Sequence, residues 1–228
     1  RRGRATVNSA WNNATAVLVG DFLISRAFQL IVSLKSQAIS EIMSDSTCIV
    51  AEGEVLQLIN QRDPDTTEQR YMDVIYSKTA QLFVAATETG AELGNPVYRP
   101  AMKKYAVHFG AAFQIIDDIM DYTSSAEEMG KNVGDDLAEG KPTLPLIQAI
   151  KTAPTAQAQL IKDAIKTGGL DHLNEILTIV KESGALDYCM QRAQEESQLA
   201  IDALAEIPAS KYKDALISLA KLALKRTT

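Results

Sequence analysis

The stretch Gly110-Ala111-Ala112-Phe113-Gln114-Ile115-Ile116-Asp117-Asp118-Ile119-Met120-Asp121 decides how the rest of this 228-residue chain is read. At about 100° per residue on a helix, Gln114, Asp117, Asp118 and Asp121 fall at i, i+3, i+4 and i+7 and share one face. Phe113, Ile115, Ile116, Ile119 and Met120 take up most of the remaining circumference and need burial. A helix that is mostly apolar yet carries a stripe of acids leaves two readings open. One is a narrow solvated face. The other is an internal site where crowded carboxylates, each raising its neighbours' pKa, are neutralised by a cation. An all-oxygen donor set without His or Cys suits a hard ion. Mg²⁺ shared with phosphate oxygens is the common biological solution, and the narrowness of any wet face favours it.

Outward from that segment the pattern stays helical. Apolar residues recur through Ala16, Val19, Leu23, Ala27, Leu30, Ile31 and Leu34, and again through Ile42, Ile49, Val55, Leu58 and Ile59, which predicts two long buried helices. Arg62-Asp63-Pro64-Asp65-Thr66-Thr67 breaks the pattern and supplies capping residues for a third helix reaching to about Gly90. Leu93-Gly94-Asn95-Pro96 is the next turn, and Val97 to Tyr122 reads as a fourth long helix. Thr123 to Thr143 is a polar, glycine-containing loop of a length that usually signals either function or disorder. Shorter amphipathic segments follow, split near Pro154, Gly168, Gly184 and Pro208. The expectation is one all-α domain over residues 1–228, long central helices first and shorter ones after.

Composition excludes several classes. A net charge of −6 and a pI near 5.0 argue against a nucleic-acid binder, which draws its affinity from clustered Lys and Arg. Cys48 and Cys189, far apart in apolar surroundings, fit buried free thiols and a cytoplasmic location. The longest stretch without formal charge, Ala5 to Gly20, is interrupted by Asn8, Asn12 and Asn13, so no transmembrane segment is expected. The chain opens Arg1-Arg2-Gly3-Arg4 without an initiator Met, which suggests the later part of a longer protein.

The loop after Asp121 carries Gly130-Lys131, Gly134-Asp135-Asp136 and Gly140-Lys141-Pro142-Thr143. Glycines let backbone approach an anion and Lys supplies a point charge, while an ordinary surface loop is the plainer alternative. It is no Walker loop, because Ser125 stands where the first Gly is needed and Pro142 follows Lys141. Lys78-Thr79 sits mid-helix, where an isolated Lys is ordinarily a surface residue. Asp21 in Gly20-Asp21-Phe22-Leu23 lies within an apolar run, with a structural pair to Arg26 as one reading. His108 and His172 lack the Glu three residues before them that a di-iron bundle requires.

Together, Arg1-Arg2-Gly3, Gly20-Asp21-Phe22-Leu23, Lys78-Thr79, Gly110 through Asp121 and Gly130-Lys131 through Gly140-Lys141-Pro142-Thr143 resemble the trans-prenyltransferases. The likeness is greatest to bacterial long-chain polyprenyl diphosphate synthases of the octaprenyl type, over residues 1 to about 145. The resemblance implies an isoprenoid synthase-type bundle of helices around a central cavity. It also implies head-to-tail condensation, in which an allylic diphosphate (farnesyl diphosphate-like) ionises, isopentenyl diphosphate attacks the cation, and a proton leaves to form a trans double bond. It assigns Asp117, Asp118 and Asp121 to Mg²⁺ bridging the allylic diphosphate. Lys78, Lys131 and Arg1 go to that diphosphate, Arg2 to isopentenyl diphosphate, and Thr79 and Gln114 to the site near the reacting carbons. A homodimer and a role in quinone side-chain synthesis come from the same resemblance.

The chemistry agrees with these roles. Cations around a departing diphosphate stabilise its growing charge, and a greasy cavity keeps water from the carbocation. The first aspartate-rich motif of the family lies upstream of the Arg-Arg-Gly segment and is not in this sequence. Two alternatives remain: a regulatory subunit of a hetero-oligomeric synthase, which often lacks aspartates that this chain retains, and a class I terpene cyclase, whose second metal motif usually carries Asn, Ser and Glu.

Overall fold

The computed structural model describes residues 4–123, 134–168 and 170–227, and among these there are helices and no strands. The first four helices are α1 (Val7–Ala10), α2 (Asn13–Ser33), α3 (Gln37–Asn60) and α4 (Glu68–Ile75). A π-helical turn, Tyr76–Ala80, joins α4 directly to α5 (Gln81–Gly94), and α6 (Arg99–Thr123) follows after a short 3₁₀ turn. The later part holds α7 (Asp135–Ala138), α8 (Leu144–Thr152), α9 (Thr155–Thr167), α10 (Leu173–Glu182), α11 (Ala185–Ala203) and α12 (Lys211–Ala223).

The helix starts follow from local chemistry. Asn12, Ser36, Thr67 and Ser210 each turn a side-chain oxygen back to a first-turn backbone N–H, as N-caps do. Gly168, at φ 66°, ends α9 in the left-handed conformation that costs a glycine little.

Helix α6 is the axis of the molecule. It buries Tyr105, Ala106, Ala111, Ala112, Ile115, Ile116, Ile119 and Tyr122, packing chiefly against α11 and α5. Small residues on both partners permit that approach: Ala111 of α6 sits in one cluster with Cys189 and Ala193 of α11. Ile115 and Ile116 are fully enclosed, each contributing about 1.5–3 kcal/mol relative to an exposed side chain. A second cluster holds Tyr122, Leu137, Leu146, Ile161, Ile165 and Ile176 beneath the C-terminal end of α6, and so anchors the elements that follow the acidic stripe.

Four expectations need correction. Helix α2 forms but has no buried residue, and Val17, Leu18, Phe22, Leu23 and Leu30 face outward. Helix α3 buries only Ile39, Ile42, Ser46, Gly53 and Asn60 and leaves Val55, Leu58 and Ile59 exposed. Apolar periodicity reports that a face wants covering, and among the described residues nothing covers these two. By length and composition, α2 is also the one helix among the described residues apolar enough to cross a membrane, although it carries Asp21 and Arg26. Arg26 bonds Gln29 at 3.0 Å, the neighbour one turn on, rather than Asp21. Finally, Cys189 is buried as expected, whereas Cys48 is exposed on α3.

Candidate active site

Lys78 and Thr79 do not lie in a regular α-helix. They occupy the π turn, and a widened turn of this kind shifts side chains out of α register and often marks a functional site. Two glycines receive it. A Cβ on Gly53 of α3 would stand 2.7 Å from the Lys78 backbone nitrogen and 2.9 Å from Ser77 Cβ. A Cβ on Gly110 of α6 would stand 2.5 Å from Ala80 Cα. Any side chain at either position would push against backbone, so the two helices can touch the turn only because these residues have none.

From the π turn a chain of hydrogen bonds crosses to α6. Thr79 Oγ1 donates to Gln114 Oε1 (3.0 Å), and Gln114 Nε2 donates to Asp118 Oδ1 (2.8 Å). Tyr71 of α4 donates its phenol to the other oxygen, Asp118 Oδ2, at 2.7 Å. Lys78 Nζ points toward α3, where it pairs with Glu54 Oε2 and bonds Gln57 Oε1, each at 3.0 Å.

These groups open onto a cavity of about 700 Å³. Helix α6 contributes Gln114, Asp117 and Asp118 to its wall, and the π turn contributes Lys78 and Thr79. Asp135, Asp136, Glu139 and Lys141, from α7 and the segment after it, also line the cavity. Asp121 takes a different position: it is wholly buried, and its Oδ2 accepts the Asp136 backbone N–H at 3.3 Å. The expected stripe therefore divides, with Asp117 and Asp118 on the cavity and Asp121 outside its lining, where it fastens the start of α7. Arg1, Arg2 and Lys131 lie outside the described residues.

The electrostatics are those of a site short of positive charge. Burial pushes the Asp118 carboxyl up to about 8; Asp136 and Asp117 push the same way, against the lowering effect of the Tyr71 and Gln114 hydrogen bonds. Burial, reinforced by Asp118, holds the Tyr71 phenol well above its ordinary value, so it acts as a donor. At Lys141 burial works against the ammonium, but Glu139 and Asp136 outweigh it and its pKa is raised.

Among the described residues no three His, Cys, Asp or Glu side chains are arranged to share one metal ion as they stand. The donors nonetheless fit a hard cation. Mg²⁺ is commonly held by one or two carboxylates with substrate phosphates completing its shell, and Asp117 and Asp118 form such a pair. An added cation would offset the burial, and the added repulsion of Asp136 and Asp117, that drive Asp118 upward.

Sequence reasoning passed over several groups. Tyr71 and Gln57 carry no signal outside the fold, since both reach the cavity only through helix packing. Lys141 and Asp136 belong to the loop that the sequence already offers as an anion site, and both line the cavity. In the C-terminal part, Glu196 is almost wholly buried, with His108 Nδ1 at 2.7 Å and Tyr76 of the π turn at 3.3 Å. Its neighbour Arg192 reaches Glu68 at the start of α4 (3.4 Å), which also accepts from Tyr188 (2.8 Å). Helix α11 thus braces both ends of the segment carrying Tyr71 and Lys78.

An all-α bundle whose central helix lines a cavity with paired carboxylates, with Lys78 and Lys141 in the same lining, presents a site whose chemistry suits a diphosphate and a hard cation. Residues 1–182 match the family described as polyprenyl synthetase. The chain belongs to that family and is a trans-polyprenyl diphosphate synthase, a transferase. It is 55% identical to an all-trans-nonaprenyl-diphosphate synthase (geranyl-diphosphate specific) of Rhodobacter capsulatus, over 99% of this chain and 70% of that one. It is 49% identical to the octaprenyl diphosphate synthase of Escherichia coli, over 99% and 71%. A polyprenyl synthase of Caulobacter crescentus, solved with calcium and isoprenyl diphosphate, superposes with a TM-score of 0.94 at 39% identity, covering 100% of this chain and 71% of that one. The all-α isoprenoid synthase fold expected from the sequence is the fold observed.

Proposed function

We propose that the protein adds isopentenyl diphosphate units in trans onto an allylic diphosphate such as farnesyl diphosphate. The product is a long-chain, octaprenyl-like polyprenyl diphosphate for quinone side chains, made in the cytoplasm. The observation that carries this reading is the hydrogen-bonded line from Thr79 through Gln114 to Asp118 along one wall of a cavity that Lys141 also lines. The names of the relatives support the same product class.

Asp117 and Asp118 would hold Mg²⁺, which supplies countercharge to the departing diphosphate. Lys78, Arg1 and Lys131 clamp that diphosphate, and Arg2 holds isopentenyl diphosphate. Lys78 exchanges its Glu54 partner for the incoming phosphate, a trade of one carboxylate for a stronger anion at the same ammonium. Gln114 and Thr79, tied to each other, present a fixed polar pair to the reacting carbons, so the dipoles facing the cation do not reorganise as it forms. Asp121 serves the site indirectly by fixing α7. The exposed faces of α2 and α3 would meet in a homodimer.

Mass spectrometry of the lipid formed from farnesyl and isopentenyl diphosphates with Mg²⁺, by the chain with the upstream segment that carries the first aspartate-rich motif restored, tests the reading. An all-trans product of octaprenyl length is expected. A cyclised hydrocarbon formed without isopentenyl diphosphate would point to a terpene cyclase instead, and no elongation until a partner subunit is added would point to a regulatory chain.

A further inference from the structure

We infer that Tyr71 is a positioning residue, its phenol setting the orientation of the Asp118 carboxylate at the cavity wall. The inference rests on the reading of Asp117 and Asp118 as the diphosphate-bound metal's carboxylates, and adds to it a residue from another helix.

The argument is geometric. Tyr71 and Asp118 are 47 positions apart in sequence, both almost wholly buried, and joined by a bond of 2.7 Å. Gln114 occupies the other carboxylate oxygen at 2.8 Å. With one donor on each oxygen, from two helices, the plane of the carboxylate is fixed. The Tyr71 ring lies in an apolar cluster with Met72, Ile75, Ile115, Ile119 and Cys189. A Phe would fill that volume equally well, so packing alone gives no reason for the hydroxyl. Helix α4 cannot drift with the carboxylate, because Glu68 at its start is held by Arg192 and Tyr188 of α11. Tyr71 is therefore a fixed post, and a partner that orients a metal-binding side chain typically matters 10- to 100-fold to metal affinity.

Isothermal titration of the protein with Mn²⁺ plus inorganic pyrophosphate reads the effect without turnover. Tyr71→Phe is expected to weaken this binding about 10- to 100-fold, with helicity retained by circular dichroism. Fluorotyrosine at 71, which keeps the hydroxyl and guards against a folding defect, is expected to bind within about twofold of the parent. In an Asp118→Asn background Tyr71→Phe should weaken binding no further, since two residues acting through one bond are not additive. Parent-like binding by Tyr71→Phe, or an equal loss in both backgrounds, overturns the inference, while a loss on Asp117→Asn still upholds the site. If the parent binds no Mn²⁺–pyrophosphate, the site reading falls and the Tyr71 inference falls with it.

Discussion

Helices α2 and α6 are both long and both carry apolar runs, yet they end in opposite environments. Helix α6 encloses eleven of its residues, including Asp118 and Asp121, whereas α2 encloses none. Phe22 and Leu23 face outward while Ile115 and Ile116, in a less apolar helix, see no solvent at all. Apolar periodicity fixes the direction of a demand for burial and leaves open what answers it. In α6 the chain itself answers, and in doing so traps acids that water would otherwise have solvated. That trapped charge gives α6 its chemistry, and the unmet demand gives α2 an outward face.

The contrast breaks first at Asp117. Asp117→Ala should lower turnover about 10²- to 10³-fold, the scale of one electrostatic group lost from a transition state. The melting temperature should stay level or rise, because a repulsive neighbour of Asp118 has gone. A large loss of helicity in circular dichroism would mean that the acids of α6 are structural after all.

The corresponding change on α2 should leave the active-site fold alone and act on assembly. Phe22→Asp with Leu30→Asp places two charges on a face that is two-thirds and more than half exposed at those positions, at 66% and 56%. If this face seals a homodimer, sedimentation should move from dimer to monomer. An unchanged sedimentation coefficient in a dimeric parent would place the interface elsewhere.

The fold was largely legible. Apolar spacing found α2, α3 and α6, the capping residues before α4 were read correctly, and the breaks at Pro154, Gly168 and Gly184 fall where helices end. The site was legible where its residues share one helix: Gln114, Asp117 and Asp118 reach the cavity together. It was illegible where position depends on contact between elements. Helical periodicity put Asp121 on the same face, but it is buried against the Asp136 backbone, outside the cavity lining. The π turn was invisible because Tyr76-Ser77-Lys78-Thr79-Ala80 has ordinary helix-forming composition; what accompanies the register change is close contact with Gly53 and Gly110. Tyr71 reads as core until Asp118 is placed beside it.

Gly53 offers a sharper test of that tertiary control. A methyl there meets the Lys78 backbone nitrogen at 2.7 Å, so Gly53→Ala must displace the turn or α3. Overpacking of this kind costs about 1–3 kcal/mol, or several degrees of melting temperature in a chain of this size. The Michaelis constant for the allylic diphosphate should rise with it, as Lys78 moves. A drop in stability with unchanged kinetics would detach the π turn from substrate binding.

The smallest effect concerns pH, and it again separates the two helices. Burial raises the Asp118 carboxyl to about 8 in the fold, well above its ordinary 3.8. A folded state that binds its proton more tightly than the unfolded chain is favoured while that proton is present, so this contribution is complete below about pH 4 and is lost as pH rises toward 8. Without metal, the protein should melt at a lower temperature at pH 8.5 than at pH 6, because the proton that favours the fold is lost over that range. Asp118→Asn removes the titrating group and should flatten that part of the slope, whereas Asp21→Asn on exposed α2 should leave it unchanged. An equal slope in parent and Asp118→Asn would show that the proton is bound elsewhere, and would remove the burial of α6's acids as the difference between the two helices.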